Sequence, residues 1–196
     1  LLEKEGTMMM KYKKVFALFG LSLLFLGINF GACTDTTAAR TSTMKSITIK
    51  LGTGLNGETF PNVIEESGGH VSHWAKKLLG QNFTVSETET DLDLVIVSVA
   101  DLGFEHDATL EQIYARAQGF GLGICPAEVG PQLRLQYTHQ PYGEWLLIGM
   151  EPIKDLDDNP IVFSVAYDGD GLWIDGDNGH VDNFWSDDVR WVFVRK

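Results

Sequence analysis

The sequence predicts an α+β domain, a single body with two short helices and a mainly antiparallel β-sheet that ends in a C-terminal β-meander. Three observations predict it. Helical signals with their own caps fall in the first part of the domain. Leu92–Ala100 (LDLVIVSVA) is the most β-like run in the chain. Beyond residue 130, alternating apolar and polar residues are cut at short intervals by Gly, Pro and Asp turns.

In chain order, Ile47–Leu51 alternates as a short strand. Ser72 to Leu79 reads as a short helix closed by Gly80, a residue free to take the left-handed conformation that ends helices. Phe83–Val85 reads as a strand. Leu94–Val97 is apolar on both faces, the pattern of a central strand covered on both sides. Thr109-Leu110-Glu111-Gln112 fits a capping box, with a hydroxyl three residues before a Gln. Leu110, Ile113 and Ala117 then share one helical face, and the helix ends near Gly119.

The second stretch reads as strands joined by turns. Leu133, Leu135 and Tyr137 alternate with polar neighbours. Gln140–Gly143 turns into a strand over Glu144–Met150. Asp155–Pro160 turns into Ile161–Tyr167, and Asp168–Gly171 turns into Leu172–Asp175. Arg190–Arg195 alternates as the last strand.

Ahead of the domain lies a targeting pattern. Residues 1–7 (LLEKEGT) precede Met8, Met9 and Met10. Lys4-Glu5-Gly6 can be encoded by a purine-rich run like a bacterial ribosome-binding sequence, so residues 1–7 read as an untranslated leader of a bacterial gene. Lys11, Lys13 and Lys14 then form a basic segment, and Val15 to Phe30 carry no charge. Residues 8–32 have the layout of a secretory signal peptide. The apolar run is short for a bilayer span, which takes about 20 residues. Phe30-Gly31-Ala32-Cys33 resembles the lipobox of bacterial lipoproteins, with a Phe where an aliphatic residue is usual. Lipidation of Cys33 is therefore expected, and cleavage near Ala39 to give a secreted protein is the alternative. Residues 33–46 read as a flexible tether and 47–196 as the domain.

The charge narrows the partners. The chain has 15 Lys+Arg against 27 Asp+Glu, a net charge of −12. Loss of residues 1–32 removes four lysines and two glutamates and takes the charge to −14. Such a surface argues against nucleic acid as a partner, since phosphate backbones need clustered cations. The expected location is outside the cytosol, held at a membrane by the lipid anchor, with a glycan or a protein as partner.

ATLEQIYARAQ, ICPAEVGPQLRLQY and GEWLLIGMEPI carry a resemblance to an uncharacterised family of small bacterial proteins. It covers roughly Phe83 to Lys196. It implies a shared fold and no activity.

Several residues could carry chemistry. Asp155–Asp188 holds ten aspartates and no Lys, Arg or Glu. Asp168, Asp170, Asp175 and Asp177 are candidate Ca²⁺ ligands, since this ion takes six to eight hard oxygens. Leu172 and the lack of a closing Glu exclude an EF-hand, and turn formation alone also explains these residues. Trp185 is the candidate glycan platform, while Trp173 and Trp191 read as core. Cys125, with His106 or His139, is a candidate nucleophile, although its apolar neighbours suit a buried thiol. Glu128, Glu144 or Glu151 with Arg134 could form an acid pair with an orienting cation. Cross-strand ion pairing is the plainer explanation. His70 and His73 lack the third ligand that zinc needs. Asp101, Glu105, His106 and Asp107 follow the apolar strand, where loops often carry sites. Walker, GxGxxG, GxSxG and CxxC motifs are missing. The expectation is a non-enzymatic domain that binds a ligand (Ca²⁺ or a glycan) or a partner, with a small hydrolase using Cys125 or a carboxylate pair as the alternative.

Overall fold

Four helices and two sheets make up residues 44–81 and 84–196, which the computed structural model describes. The larger sheet is nine-stranded, mixed and strongly curled. Its spine is formed by β1 (Lys45–Leu51), β3 (Thr90–Ser98), β11 (Arg190–Arg195), β6 (Trp145–Ile148), β8 (Pro160–Asp168), β9 (Gly171–Asn178) and β2 (His70–Val71), side by side in that order. Two short strands join it. β5 (Leu122–Gly123) pairs with β11, and β7 (Ile153–Lys154) pairs with β8. The helices are α1 (Phe60–Glu66), α2 (His73–Leu79), α3 (Leu110–Gly119) and α4 (Val129–Gln136). A separate two-stranded sheet joins β4 (Ala108–Thr109) to β10 (Phe184–Trp185).

The α+β class is as expected, but the sheet is mixed. β6, β8 and β9 form the antiparallel meander. The last strand does not extend it. Instead β11 inserts between β3 and β6, antiparallel to the first and parallel to the second. β2 and β9 are also parallel. The final strand thereby joins the two halves of the chain.

Local signals explain most elements. Ser72 caps α2, its hydroxyl accepting the Ala75 N–H at 3.0 Å. Gly80 ends that helix with φ of −75°, so the left-handed conformation expected there is not used. Thr109 and Gln112 form the reciprocal capping box of α3. Leu94, Val95, Ile96 and Val97 of β3 are all buried, as a strand covered on both faces requires. β1 begins at Lys45, two residues inside the segment read as a tether. Thr84 and Val85 lie outside any strand, and Phe83 lies outside the described residues.

One element is corrected outright. Leu133–Tyr137, read as a strand, is the end of α4 and its C-cap. Leu135 and Tyr137 alternate with polar residues, but Val129, Gln132, Leu133 and Gln136 stand at i, i+3, i+4 and i+7, the helical repeat. Gln136 donates to Gln132 Oε1 at 3.0 Å along that ridge. α1 is a further helix that the sequence reading left out.

Both faces of the sheet are covered. On one, α2 and α4 pack over β8 and β9. Gly130 of α4 lies so close to β8 that a Cβ would sit 2.7 Å from the Phe163 ring. On the other, Tyr114 of α3 meets Trp191 and Phe193 edge-on, each at 5.9 Å between centroids. Trp185 packs on Trp191 at 5.4 Å and on Trp145 at 6.0 Å. Residues 1–43, which hold the leader, the signal peptide, Cys33 and most of the tether, lie outside the described residues.

Candidate functional site

The face that α2 and α4 cover carries a polar cluster where β1, β3 and β11 meet the end of α4. Glu144 stands just before β6, after a turn closed by its own N–H on Pro141 O at 3.0 Å. Its side chain is 4% exposed. It accepts the Tyr137 hydroxyl at 2.8 Å and lies 3.3 Å from Arg190 Nη1 and 3.8 Å from Lys45 Nζ. Lys45 also hydrogen-bonds the Tyr137 hydroxyl and lies 4.7 Å from that ring's centroid. Burial, and then the bond to Glu144, push the Tyr137 phenol well above its ordinary range. It stays a proton donor to the carboxylate.

Arg134 holds this loop in shape. Its Nη2 donates to Tyr137 O and its Nη1 to Gln140 Oε1, both at 2.6 Å. Gln140 Nε2 in turn donates to Glu144 O at 3.0 Å and Val165 O at 3.2 Å. Burial lowers the guanidinium to about 10. Arg134 is thus a buried clasp on carbonyls, and Glu144 takes its cations from Lys45 and Arg190 instead.

Beside Glu144 an open cleft of about 430 Å³ runs between Lys45, Ser98, Asp101, Asp187, Asp188 and Arg190. The strand register places it. Lys45 is opposite Ile96, and Arg190 is opposite Ser98, so all four share one face. Asp101 lies in the 3₁₀ turn Ala100–Leu102 that follows β3. Ser98 and Asp101 bond reciprocally: the Ser98 N–H donates to Asp101 Oδ2 at 2.9 Å and the Asp101 N–H to Ser98 Oγ at 3.0 Å. Asp187 O accepts the Ala100 N–H at 2.8 Å, which ties the turn before β11 to the turn after β3. The Ser186 hydroxyl donates to Asp188 at 2.7 Å.

The residues singled out from the sequence are scattered. Cys125 is buried, with its Sγ on Val192 O at 3.4 Å, and burial pushes the thiol far above the ordinary range. That environment favours the protonated thiol over the nucleophilic thiolate. Glu128 is fully buried. It accepts the N–H groups of Gly52 at 2.8 Å and Ser86 at 2.7 Å, and Gln132 Nε2 at 3.1 Å. It fastens two loops onto α4. Glu151, Glu105, His106, Asp107, His73 and His139 are exposed, and His70 stacks on Trp173 at 4.6 Å.

The four aspartates do not converge. Asp168 and Asp170 belong to the β8–β9 hairpin tip, where the Asp170 N–H donates to Asp168 at 3.0 Å. Asp175 and Asp177 lie further along β9, Asp175 taking the Ser72 hydroxyl. Asp177 is 7% exposed. Burial raises its carboxyl to about 7; Ser164 and Trp145 beside it work against that rise, and Asp175 adds to it. Among the described residues no three His, Cys, Asp or Glu side chains are placed to hold a metal ion. Trp185, the expected glycan platform, is buried against Trp145 and Trp191 because β10 pairs with β4 and turns the ring inward. Cys33 lies outside the described residues.

Lys45, Tyr137 and Arg190 are site residues that the sequence reading did not single out. The one signal for Arg190 was its place at the start of an alternating strand. Comparison with family models, curated proteins and solved structures gives no match for this chain.

Proposed function

We propose that this protein is a non-enzymatic binding domain, displayed outside the cytosol on a lipid anchor at Cys33, and that the Lys45–Arg190 cleft receives a small polar ligand. The observation that carries the reading is the cleft itself, with the buried Glu144 carboxylate within 4 Å of two of its lining cations, Lys45 and Arg190. Contacts of this kind restrain the cations and lower the cost of ordering them on a ligand. A volume of about 430 Å³ suits a small molecule. Both signs of charge line it, which favours specificity over bulk adhesion. The hydrolase alternative has less support, since Cys125 is buried and Glu128 spends its oxygens on backbone N–H groups. The Ca²⁺ and Trp185 readings give way to the cleft for the geometric reasons above.

The test is thermal unfolding of the full chain with pooled polar small molecules. A ligand at a hundredfold its Kd stabilises by about 2.7 kcal/mol. Ser98→Trp, which fills the cleft, is expected to abolish the shift; because it also removes the Oγ that accepts the Asp101 N–H, the free variant is expected to melt lower than the parent but still cooperatively. A shift that survives this substitution places the ligand elsewhere. Membrane anchoring has its own test: fatty-acid labelling of the full chain is expected to disappear in Cys33→Ser.

A further inference from the structure

We propose that the outer edge of β1 pairs with the same edge of a second copy of this chain, antiparallel, with Ile47 on the twofold axis. β1 stands at one end of the sheet, beside β3. Along its other edge, α4 supplies side chains where a next strand would supply peptide groups. Gln136 Oε1 accepts the Lys50 N–H and Gln136 Nε2 donates to Lys50 O, both at 2.8 Å. Glu128 accepts the Gly52 N–H at 2.8 Å. Gln132 ties the two, its Nε2 donating to Glu128 at 3.1 Å and its Oε1 accepting Gln136 at 3.0 Å. Peptide groups alternate sides along a strand, so those of Ser46 and Thr48 point outward as those of Lys50 do. α4 ends at Gln136, and among the described residues nothing meets these outward N–H and C=O groups. An edge left open in this way is a template for another strand.

The side chains select the partner. Arg195 Nη2 donates to Ser46 Oγ at 2.7 Å, which leaves that hydroxyl its own proton for a further acceptor. Thr48 Oγ1 donates to Asp93 Oδ1 at 2.6 Å, which leaves it a lone pair for a further donor. With Ile47 facing Ile47 of the second copy, Ser46 falls opposite Thr48 of that copy, on the same face, and the spare proton meets the spare lone pair. A chain of hydroxyls then runs from the Arg195 guanidinium through Ser46 and the other copy's Thr48 to its Asp93 carboxylate, and symmetry repeats it in the other direction. On the opposite face the half-buried Ile47 side chains meet in a non-hydrogen-bonded pair, where side chains come closest. Gln136 sets the register. It occupies the peptide groups of Lys50, so a pairing centred on Thr48, which needs them, is shut out. An arbitrary extended peptide gains the backbone bonds alone, whereas this sequence also gains the hydroxyl links and the Ile47 contact.

The experiment is sedimentation of the full chain in density-matched mild detergent, with micelles in excess over protein. A contact one short strand long falls below the standard interface size, so a Kd of about 0.1–1 mM is expected. Thr48→Pro removes the outward N–H that each copy donates, a change an edge strand tolerates, and should weaken pairing about tenfold or more. Thr48→Val keeps the strand and breaks the hydroxyl links, and should weaken pairing about threefold. Urea midpoints are read beside both, and if Thr48→Pro unfolds earlier than the parent, Thr48→Val decides. Register has its own readout. Ile47→Cys should link the two copies on mild oxidation, since facing Cα atoms of such a pair lie about 4.5 Å apart, within disulfide reach. Ser46→Cys alone should not link, and Ser46→Cys mixed with Thr48→Cys should, with peptide mapping to identify the bond. A chain that stays monomeric up to about 1 mM overturns the proposal. So does a dimer whose Kd neither Thr48 variant changes, or one in which Ile47→Cys stays reduced.

Discussion

Asp177→Asn should make the domain more stable at pH 8 and less stable at pH 4. Asp177 lies on β9 with 7% exposure, and its carboxyl titrates at about 7 in the folded protein against 3.8 in a free chain. Below about pH 4 the group is protonated in both states and carries no penalty. As pH rises toward 7 the unfolded chain ionises while the folded one holds its proton, so stability is lost across that window and stays lost above it. The full displacement corresponds to about 4 kcal/mol. An asparagine carries no charge but brings buried amide donors, which cost about 1–2 kcal/mol if left unpaired. The net expectation is a gain of about 2–3 kcal/mol at pH 8 and a loss of about 1 kcal/mol at pH 4. For a domain of this size each kcal/mol moves the melting point by about 2–4 °C. The assay is thermal and urea unfolding of the full chain, followed by tryptophan fluorescence at both pH values. A difference between variant and parent that stays constant across the window would refute the reasoning, because it would mean that Asp177 ionises freely in the fold.

Other side chains give sharper local expectations. Glu144→Ala should cost about 2 kcal/mol in urea unfolding, because it leaves the Tyr137 hydroxyl without its acceptor, and Glu144→Gln about half of that. Glu128→Ala strands the Gly52 and Ser86 N–H groups and should cost about 3 kcal/mol, with those two amides becoming fast-exchanging in hydrogen exchange. Cys125 should react with a thiol reagent at least about a thousandfold more slowly in native buffer than in denaturant, since only the opened chain exposes it. Rapid native labelling would contradict its burial.

Local rules identified the elements that rest on local physics. The Thr109 capping box, the Ser72 cap and the apolar run of β3 are each a few adjacent residues whose chemistry permits little else. α1 went unseen because only Phe60 and Ile64 are buried, Pro61 stands at its start and Thr59 makes no side-chain cap. α4 was misread because its last residues alternate while its buried residues run from Val129 to Arg134. The insertion of β11 is a choice among strand partners, and alternation is silent on partners. The site was harder still. Glu144 and Arg134 were singled out, yet Arg134 holds carbonyls while Glu144 meets Lys45 and Arg190 from opposite ends of the chain. Lys45 was passed over because it lies in a small polar segment that reads as a tether, and only its pairing with β3 brings it to the cleft. Trp185 was misplaced because a two-residue strand leaves almost no pattern in a sequence.

The most direct measurement is a map of backbone amide shifts in the full chain against pooled amino acids, sugars and nucleosides. Shifts confined to Lys45, Ser98–Asp101 and Asp187–Arg190, and lost in Ser98→Trp, are the expected result. Shifts that gather instead at the Asp168–Gly171 hairpin or around Trp185, or a spectrum that no pool changes, would contradict the assignment of this cleft as the binding site.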